Sequence, residues 1–413
     1  MPKRRVLVTG LGFVTPLGDQ ADRVFERAYA GEAAIQRVRS GREGLEADVL
    51  LGLADWSPDV ELTAIQKLAM DPVAQMAFVA ARRALAHAGL TERSDLLADA
   101  GVYMGCGLGG AATYEHGYDM YFVRSTRRVK PTVVPRVMPN APAAHISMGY
   151  GIKGPSLTFS VACTSSAAAI GEAYRAIRDG YLPCVVAGGA EAMLAGGVVI
   201  AWEAMGVVAK EHPDGPAASV RPFDRLRTGF ALAEGAAVLI LESEEHVLRR
   251  GATPLGEIVG YGGSSDAHNL TQPSREGQVR SMRAALADAG LAPEAVGYVN
   301  AHATATKVGD VVEVQAIKEA FGAHAARLPV SSTKSVHGHL VGAAGAVELG
   351  ITLMAVARGR IPPTANLTEP DPECDLDFVP VKGREAPDLE YALSNSFGFG
   401  GSNASLVVRR IGT

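Results

Sequence analysis

Cys163 opens the run Cys163-Thr164-Ser165-Ser166-Ala167-Ala168-Ala169, directly after the apolar stretch Leu157 to Ala162. The pattern predicts a strand, a sharp turn and a helix whose first turn begins at the thiol. A free thiol ionises near pH ~8.5, and a helix N-terminus stabilises the thiolate, so the expectation is a nucleophile with a depressed pKa. Thr164, Ser165 and Ser166 are residue types that cap a helix start. The opposing reading is an unpaired cysteine acting as a small buried hydrophobe. Two histidine stretches weigh against it. Asn300-Ala301-His302-Ala303-Thr304-Ala305-Thr306 follows a strand-like run and sets one imidazole among small residues, with two hydroxyls just beyond. Ser332-Thr333-Lys334-Ser335-Val336-His337-Gly338-His339-Leu340 then brings a lysine and two histidines to the entrance of a small-residue helix. Near the end, Asn395-Ser396-Phe397-Gly398-Phe399-Gly400-Gly401-Ser402-Asn403 is a glycine loop holding two phenylalanines. One thiol and two imidazole loops at element ends form a constellation suited to nucleophilic catalysis.

A chain of 413 residues with 47% hydrophobic and 20% charged residues is globular and long enough for a duplicated unit. Thirty-nine basic against 44 acidic residues leave a net charge of −5, which gives no global pull toward nucleic acid or an anionic membrane. The four cysteines (Cys106, Cys163, Cys184, Cys374) lie far apart with no CxxC pair. That argues against a metal site or a disulfide framework and for a reducing, cytoplasmic compartment. Lys3, Arg4 and Arg5 lead straight into a short strand-like run, so no signal peptide is expected. Leu182 to Ala209 is apolar apart from Glu191 and Glu203, but those charges and five glycines predict strand, turn and core helix, not a membrane span.

Positioning these residues falls to repeated helix–strand units. Ala84-Leu85-Ala86-His87-Ala88-Gly89-Leu90 recurs as Ala285-Leu286-Ala287-Asp288-Ala289-Gly290-Leu291, each ending a helical pattern at glycine and followed by an apolar strand. A duplicated α/β architecture follows, with a seam near Arg249 to Pro254. Val8-Thr9-Gly10-Leu11-Gly12 looks like the start of a dinucleotide fingerprint, but Thr15 stands where the third glycine belongs. Gly105 to Gly110 lacks a Gly-Lys-Ser/Thr ending. Both read as tight turns at strand ends.

The cysteine elbow, His302 with Thr304 and Thr306, Lys334-Ser335 before Gly338-His339-Leu340, and Asn395 to Asn403 carry a resemblance that runs essentially end to end. The chain resembles the β-ketoacyl–acyl carrier protein synthases of the elongating Cys-His-His kind. The resemblance implies an α/β, thiolase-like fold: duplicated βαβ halves, residues 1–250 and 251–413, in a five-layered αβαβα core. A dimer is implied, either a homodimer or a heterodimer with a chain-length factor. Cys163 would be the acyl-accepting nucleophile, His302 and His339 the pair acting on the malonyl group, and Lys334 the neighbouring cation. Asp310 and Glu348 would be buried acids supporting this network. Thr304 and Thr306 would contact pantetheine, and Phe399 would be the gate, its N–H joining that of Cys163 in the oxyanion hole.

The implied reaction is a decarboxylative Claisen condensation, in which two neutral imidazoles hold the enolate oxygen and Lys334 disfavours imidazolium. No metal or resident cofactor is implied, since the phosphopantetheine arm arrives with the acyl carrier protein. Arg127 and Arg128 fit a basic patch for that acidic partner. Ala303 and Ala305 stand where the family usually has glycines, and Leu68, Ala69 and Gly206 where it often has basic residues. His337 is an additional histidine, and catalysis is assigned to His339 because it precedes Leu340. The competing readings are a non-catalytic chain-length factor, which typically lacks the cysteine, and a cysteine acyltransferase or thioesterase, for which two imidazoles plus a lysine are superfluous.

Overall fold

The two similar stretches close equivalent helices. In the computed structural model, which describes residues 3–40 and 47–412, the first half comprises β1 (Val6–Val14), α1 (Pro72–His87), β2 (Gly101–Gly105), α2 (Ala141–Tyr150), β3 (Ser156–Phe159), α3 (Ser165–Arg178), β4 (Cys184–Glu191), α4 (Gly196–Ala204) and β5 (Gly235–Ser243). The second comprises β6 (Gly256–Ser265), α5 (Arg275–Ala289), β7 (Val296–Asn300), α6 (Lys307–Phe321), β8 (Val330–Ser331), α7 (Ala344–Arg358), β9 (Tyr391–Gly398) and β10 (Ser402–Arg409). Asp71 caps α1, accepting from the Val73 N–H, and Ser274 caps α5, accepting from the Gly277 N–H. Gly89 (φ 68°) and Gly290 (φ 67°) end them in the left-handed region that glycine enters without strain.

The strands form one sheet in the order β8-β7-β9-β10-β6-β1-β5-β4-β2-β3. Counted outward from the centre, each half repeats one order: first, fifth, fourth, second and third strand of its own set. The pairings match as well, antiparallel for the inner three strands and parallel for the outer three. The halves join where β1 and β6 pair antiparallel over Val6, Leu7 and Val8. Helices α1 and α2 cover the outer face of the first half, and α5 and α6 that of the second. Between the halves lie α3 and α7, packed in one core with residues from both sets of strands. These are the five layers and the duplicated thiolase-like plan expected from the sequence.

The glycines that resembled a nucleotide fingerprint are packing devices used twice. A Cβ on Gly10 or Gly12 would come within 2.2 Å of the Ala84 carbonyl or 2.1 Å of the Ala80 carbonyl of α1. On Gly260 or Gly262 of β6 it would come within 2.3 Å of the Ala285 carbonyl or 2.0 Å of the Ser281 carbonyl of α5. In both halves, then, the helix backbone lies directly on a strand stripped of side chains.

Helix α7 is apolar apart from Glu348 and Thr352 because it is buried on every side from Ala344 to Val356. Among the described residues it is, with the turn before it, the stretch long and apolar enough to cross a bilayer, and 89% of that stretch is buried in the core. One expectation needs correcting. The segment Gly196–Ala204 was expected as a core helix, but α4 buries only Val199 and presents Trp202 to a cavity.

The close strand–helix contact predicts a steep cost for one methyl group. Gly262→Ala should destabilise the protein by ~3 kcal/mol in equilibrium denaturation, because backbone must move to admit it. Gly117→Ala, in a helix with nothing within 4 Å of the new Cβ, should be neutral or slightly stabilising. Equal effects at the two positions would contradict this account.

Candidate active site

Chain geometry makes Cys163 prominent. After β3 the backbone turns through Ala162, a non-glycine residue at φ 52°, into a short 3₁₀ turn (Ala162–Thr164) that runs into α3. Such a strained strand-to-helix elbow presents a nucleophile at the turn. The three hydroxyl residues after it do not act as end caps. The Ser165 hydroxyl closes the elbow, accepting from the Val161 N–H at 3.0 Å and donating to the Ala162 carbonyl at 2.6 Å. Thr164 donates to the Ser402 carbonyl at 2.8 Å, and Ser166 accepts from the Ala346 N–H at 2.9 Å. They knit the elbow to β10 and α7, elements of the other half.

His302 follows β7. Its backbone N–H and that of Ala303 donate to the two oxygens of the buried Glu313 carboxylate at 2.9 and 2.7 Å, and the Asn395 amide adds a third donor at 3.2 Å. His339 is fixed by backbone bonds to both neighbours of Leu232, its N–H donating to the Ala231 carbonyl at 2.8 Å and its carbonyl accepting from the Ala233 N–H at 3.0 Å. Its Nε2 lies 3.0 Å from the Cys163 Sγ, and the imidazoles of His302 and His339 face each other edge to face at 5.4 Å. One ring nitrogen of each and the sulfur lie within 4.8 Å of one another. The Nδ1 atoms of both rings have no hydrogen-bond partner.

His337 points elsewhere. Its Nδ1 lies 2.8 Å from the Gly338 carbonyl and its Nε2 3.1 Å from the Thr333 hydroxyl. His339, not His337, is the imidazole beside the thiol.

Lys334 is fully buried and ion-paired with Glu348 of α7. Burial and the Lys334 charge hold His302 and His339 well below the usual imidazole range, each lowered further by a neighbouring histidine. Both rings are therefore neutral at pH 7. Burial raises Glu348 to about 7 against the pull of Lys334.

The thiol departs from expectation. Burial pushes Cys163 up to about 12, opposed by Lys334 and by the backbone N–H of Phe399. Removing a charge from water shifts a fully buried group by up to ~3–5 pKa units, whereas a helix end supplies at most ~2 kcal/mol, so burial wins. Cys163 is protonated in the resting site, with His339 Nε2 in reach of its proton.

Asp310 also departs. Its carboxylate accepts from the Phe223 N–H at 2.8 Å and faces Arg227 at 3.7 Å, and it contacts neither imidazole nor Lys334. The acid that holds the His302 loop is Glu313, one turn further along α6. Arg227, buried to 1% exposure, donates to the carbonyls of Thr306 and Lys307 at 3.0 and 2.9 Å and so clamps the start of α6.

A cavity of about 540 Å³ joins Cys163, His302, His339, Thr304, Thr306 and Phe399. The two threonine hydroxyls are 3.2 Å apart, and Lys307 and Leu270 stand beside them on its wall. Gly398 lets the last loop pass over the elbow, since a Cβ there would meet the Val161 carbonyl at 2.9 Å. Phe399 follows, its ring stacked on Trp202 at 5.8 Å. Phe230 stands edge-on to both Trp202 and His339, at 5.7 and 5.0 Å. Gly400 (φ 82°) and Gly401 (φ 72°) allow the backbone reversal behind the ring. Ala305 sits at φ 60°, a conformation glycine enters freely and alanine adopts only under strain. Arg127 and Arg128 lie on an exposed segment and do not line the cavity.

Residues 3–246 match the beta-ketoacyl synthase N-terminal domain and residues 255–368 its C-terminal domain. The chain is 38% identical to the 3-oxoacyl-[acyl-carrier-protein] synthase 2 of Coxiella burnetii, each covered over 100% of its length. It is 41% identical to nodulation protein E of a Rhizobium species, over 99% of this chain and 100% of the relative. Among solved structures, a beta-ketoacyl synthase from Burkholderia phymatum superposes with a TM-score of 0.92 at 36% identity, over 99% of this chain and 100% of that one. A type II polyketide ketosynthase solved in complex with its acyl-carrier protein gives 0.91 at 29%, with the same coverage. The chain belongs to the beta-ketoacyl synthase family and is an acyl-transferring condensing enzyme.

Lys334 gives the site a pH signature. A neutral imidazole can donate to a forming enolate without protonating it, a state held above its pKa, which burial and the buried cation both lower. Lys334→Met should therefore move the acid limb of malonyl decarboxylation to higher pH, by about one unit. The single variant also strands Glu348 and should lose ~3–5 kcal/mol of stability. The pair Lys334→Met/Glu348→Gln removes that complication, and an unmoved acid limb in the pair would contradict the role given to the cation.

Proposed function

We propose that Cys163 carries the growing acyl chain and that His302 and His339 drive decarboxylation of malonyl–acyl carrier protein. The products are 3-oxoacyl–acyl carrier protein and carbon dioxide. The observation that carries this is a thiol facing two neutral imidazoles in one cavity, with a buried cation behind them. A hydrolase needs one imidazole as base, and a second neutral one kept from charging serves an oxyanion.

In the first step the Cys163 thiol gives its proton to His339 Nε2 as the sulfur attacks the incoming thioester. The carrier's thiolate leaves and takes that proton, giving acyl-Cys163. In the second, malonyl thioester binds with its carbonyl oxygen between the two Nε2–H groups. The carbon–carbon bond to the carboxylate breaks, its electron pair forms the enolate, and carbon dioxide departs. The enolate carbon attacks the acyl carbonyl, whose oxygen accepts from the N–H groups of Cys163 and Phe399. The C–S bond then breaks, its electron pair leaves on the sulfur, and the thiolate takes up one proton from solvent. The unpartnered Nδ1 of His339 lets its ring hold the proton on either nitrogen, as a base in the first step and a donor in the second requires, whereas His302 serves only as a donor.

Thr304 and Thr306 are assigned to the pantetheine arm by their place on the cavity wall, and Phe399 to the gate. No resident cofactor enters the scheme, because the phosphopantetheine arm comes with the carrier protein. Arg127 and Arg128 are assigned to carrier docking. A second subunit, a like copy or a chain-length factor, is supported by the exposed Tyr118, Tyr121, Phe122, Val134 and Met138 and by edge strand β3. The active-site division follows residues 1–250, which bear the thiol, and 251–413, which bear the imidazoles. Four free cysteines support a cytoplasmic location.

Separating the half-reactions tests the assignment. Cys163→Ala should abolish acyl loading and condensation with an unchanged fold. His302→Ala should cut malonyl decarboxylation at least ~100-fold while sparing acylation, and Phe399→Ala should raise decarboxylation in the absence of primer. Comparable loss of loading in His302→Ala would instead mark a Cys–His acyl-transfer site.

Docking has its own readout. Arg127→Glu/Arg128→Glu should raise KM for the carrier protein and flatten the salt dependence, with kcat and acylation from a small thioester unchanged. Loss of activity on the small thioester would show these arginines to be structural.

A further inference from the structure

The duplication places a second elbow opposite the first. Val341 stands at φ 42°, as Ala162 stands at 52°, and each opens a 3₁₀ turn that runs into a central helix, α7 or α3. Gly342 therefore occupies the place that Cys163 holds in the other half. No side chain fits there. A Cβ on Gly342 would lie 2.5 Å from Glu191 Oε2 and 2.6 Å from the Gly107 nitrogen.

Glu191 ends β4 and is fully buried. Its Oε2 accepts from the N–H groups of Gly107 at 2.8 Å and Gly342 at 3.0 Å, and its Oε1 from that of Leu108 at 3.2 Å. Among the described residues no cation pairs with it. Three backbone N–H groups alone hold the carboxylate, two from the loop after β2 in the first half and one from the elbow of the second. Gly342 lies three residues beyond His339. The turn it anchors thus fixes the entry of α7 immediately after the imidazole that meets the thiol.

We propose that Glu191 is a positioning residue for the condensation: by bridging the Gly107–Leu108 loop and the Gly342 elbow it holds His339 at hydrogen-bond distance from Cys163. This rests on the roles given above to His339 and Cys163. The same carboxylate is near enough for its charge to be felt at the sulfur, where it opposes thiolate formation. Cys106 is the other titratable group that senses it. Burial raises Glu191 itself to about 7, against the pull of its three N–H donors.

The test compares Glu191→Gln with wild type in the full-length protein. Glutamine has the same shape, but it carries no charge and sets an NH₂ against one of the three N–H donors. Malonyl decarboxylation should lose ~10-fold or more in kcat, with KM for malonyl–carrier protein within about two-fold. The pH profile for iodoacetamide alkylation of Cys163 should shift downward by about half a unit as the opposing charge disappears. Gly342→Ala approaches the same contact from the other side, and its kcat should fall in the same direction. Unchanged kcat in both variants, or an alkylation profile that stays in place, overturns the proposal. A fall in acylation and decarboxylation by one common factor, accompanied by a lower melting temperature, also overturns it, because that is the mark of a scaffold residue. An inactive wild type would instead count against the proposed function, while the alkylation profile would still report on Glu191.

Discussion

A single ammonium group without access to water sets the chemistry of this molecule. Lys334 lies behind both imidazoles and is neutralised on its far side by Glu348. Burying an ion pair yields little net stability, since desolvating two charges costs about what their attraction returns. Its effect here lies in the field. Burial first and the nearby cation second disfavour a further positive charge there, so His302 and His339 stay neutral, and the cation partly offsets the burial that keeps the sulfur protonated. Two neutral N–H donors aimed at one point can stabilise a forming enolate, whereas imidazolium would protonate it.

Bringing these groups together requires both halves of the duplication. The thiol belongs to the first half, and the imidazoles, the lysine and the loop around Phe399 to the second. Their separation is fixed by α3 and α7, which pack against each other between the two sets of strands. Hydroxyls after the elbow become ties across that seam: Thr164 bonds β10 and Ser166 bonds α7. Duplication also explains an asymmetry. Each half turns through a strained elbow into a central helix, yet one elbow bears a reactive sulfur and the other a glycine capped by a carboxylate. A second nucleophile opposite the first would have no imidazoles to serve it, and the N–H groups freed at that elbow still need an acceptor. Glu191 supplies one.

Much of this was legible in the sequence, for identifiable reasons. Cys163, His302 and His339 stand out because small residues flank them, and small residues are what a backbone needs when it passes close to reacting groups. The helix–strand repeat was visible because both copies end at a glycine in the same conformation. What stayed hidden depends on direction in space. Asp310 and Glu313 lie three residues apart on α6, and spacing alone cannot tell which one faces the His302 loop. The pKa of Cys163 was misjudged because sequence reveals the helix end but not the completeness of burial around the sulfur. Gly10 and Gly12 mimic a phosphate loop since both uses demand the same thing, a backbone approached closely; only the partner differs, a helix carbonyl here. The apolar run Leu182 to Ala209 hid a division into a fully buried strand and a helix, α4, that lies partly in the open beside the cavity.

That partly exposed helix bears on the order of the reaction. Phe399 is not wedged into the core; its ring rests on Trp202, which α4 presents to the cavity, while glycines behind it leave the backbone free to turn. Its N–H acts on the sulfur and its ring lines the same cavity, so in the role proposed above a movement of the ring that admits an acyl chain would also move one donor of the oxyanion hole. On that proposal the order of the two steps would follow from one residue contributing both a backbone donor and a side-chain stopper, with Gly400 and Gly401 beside it as the hinge.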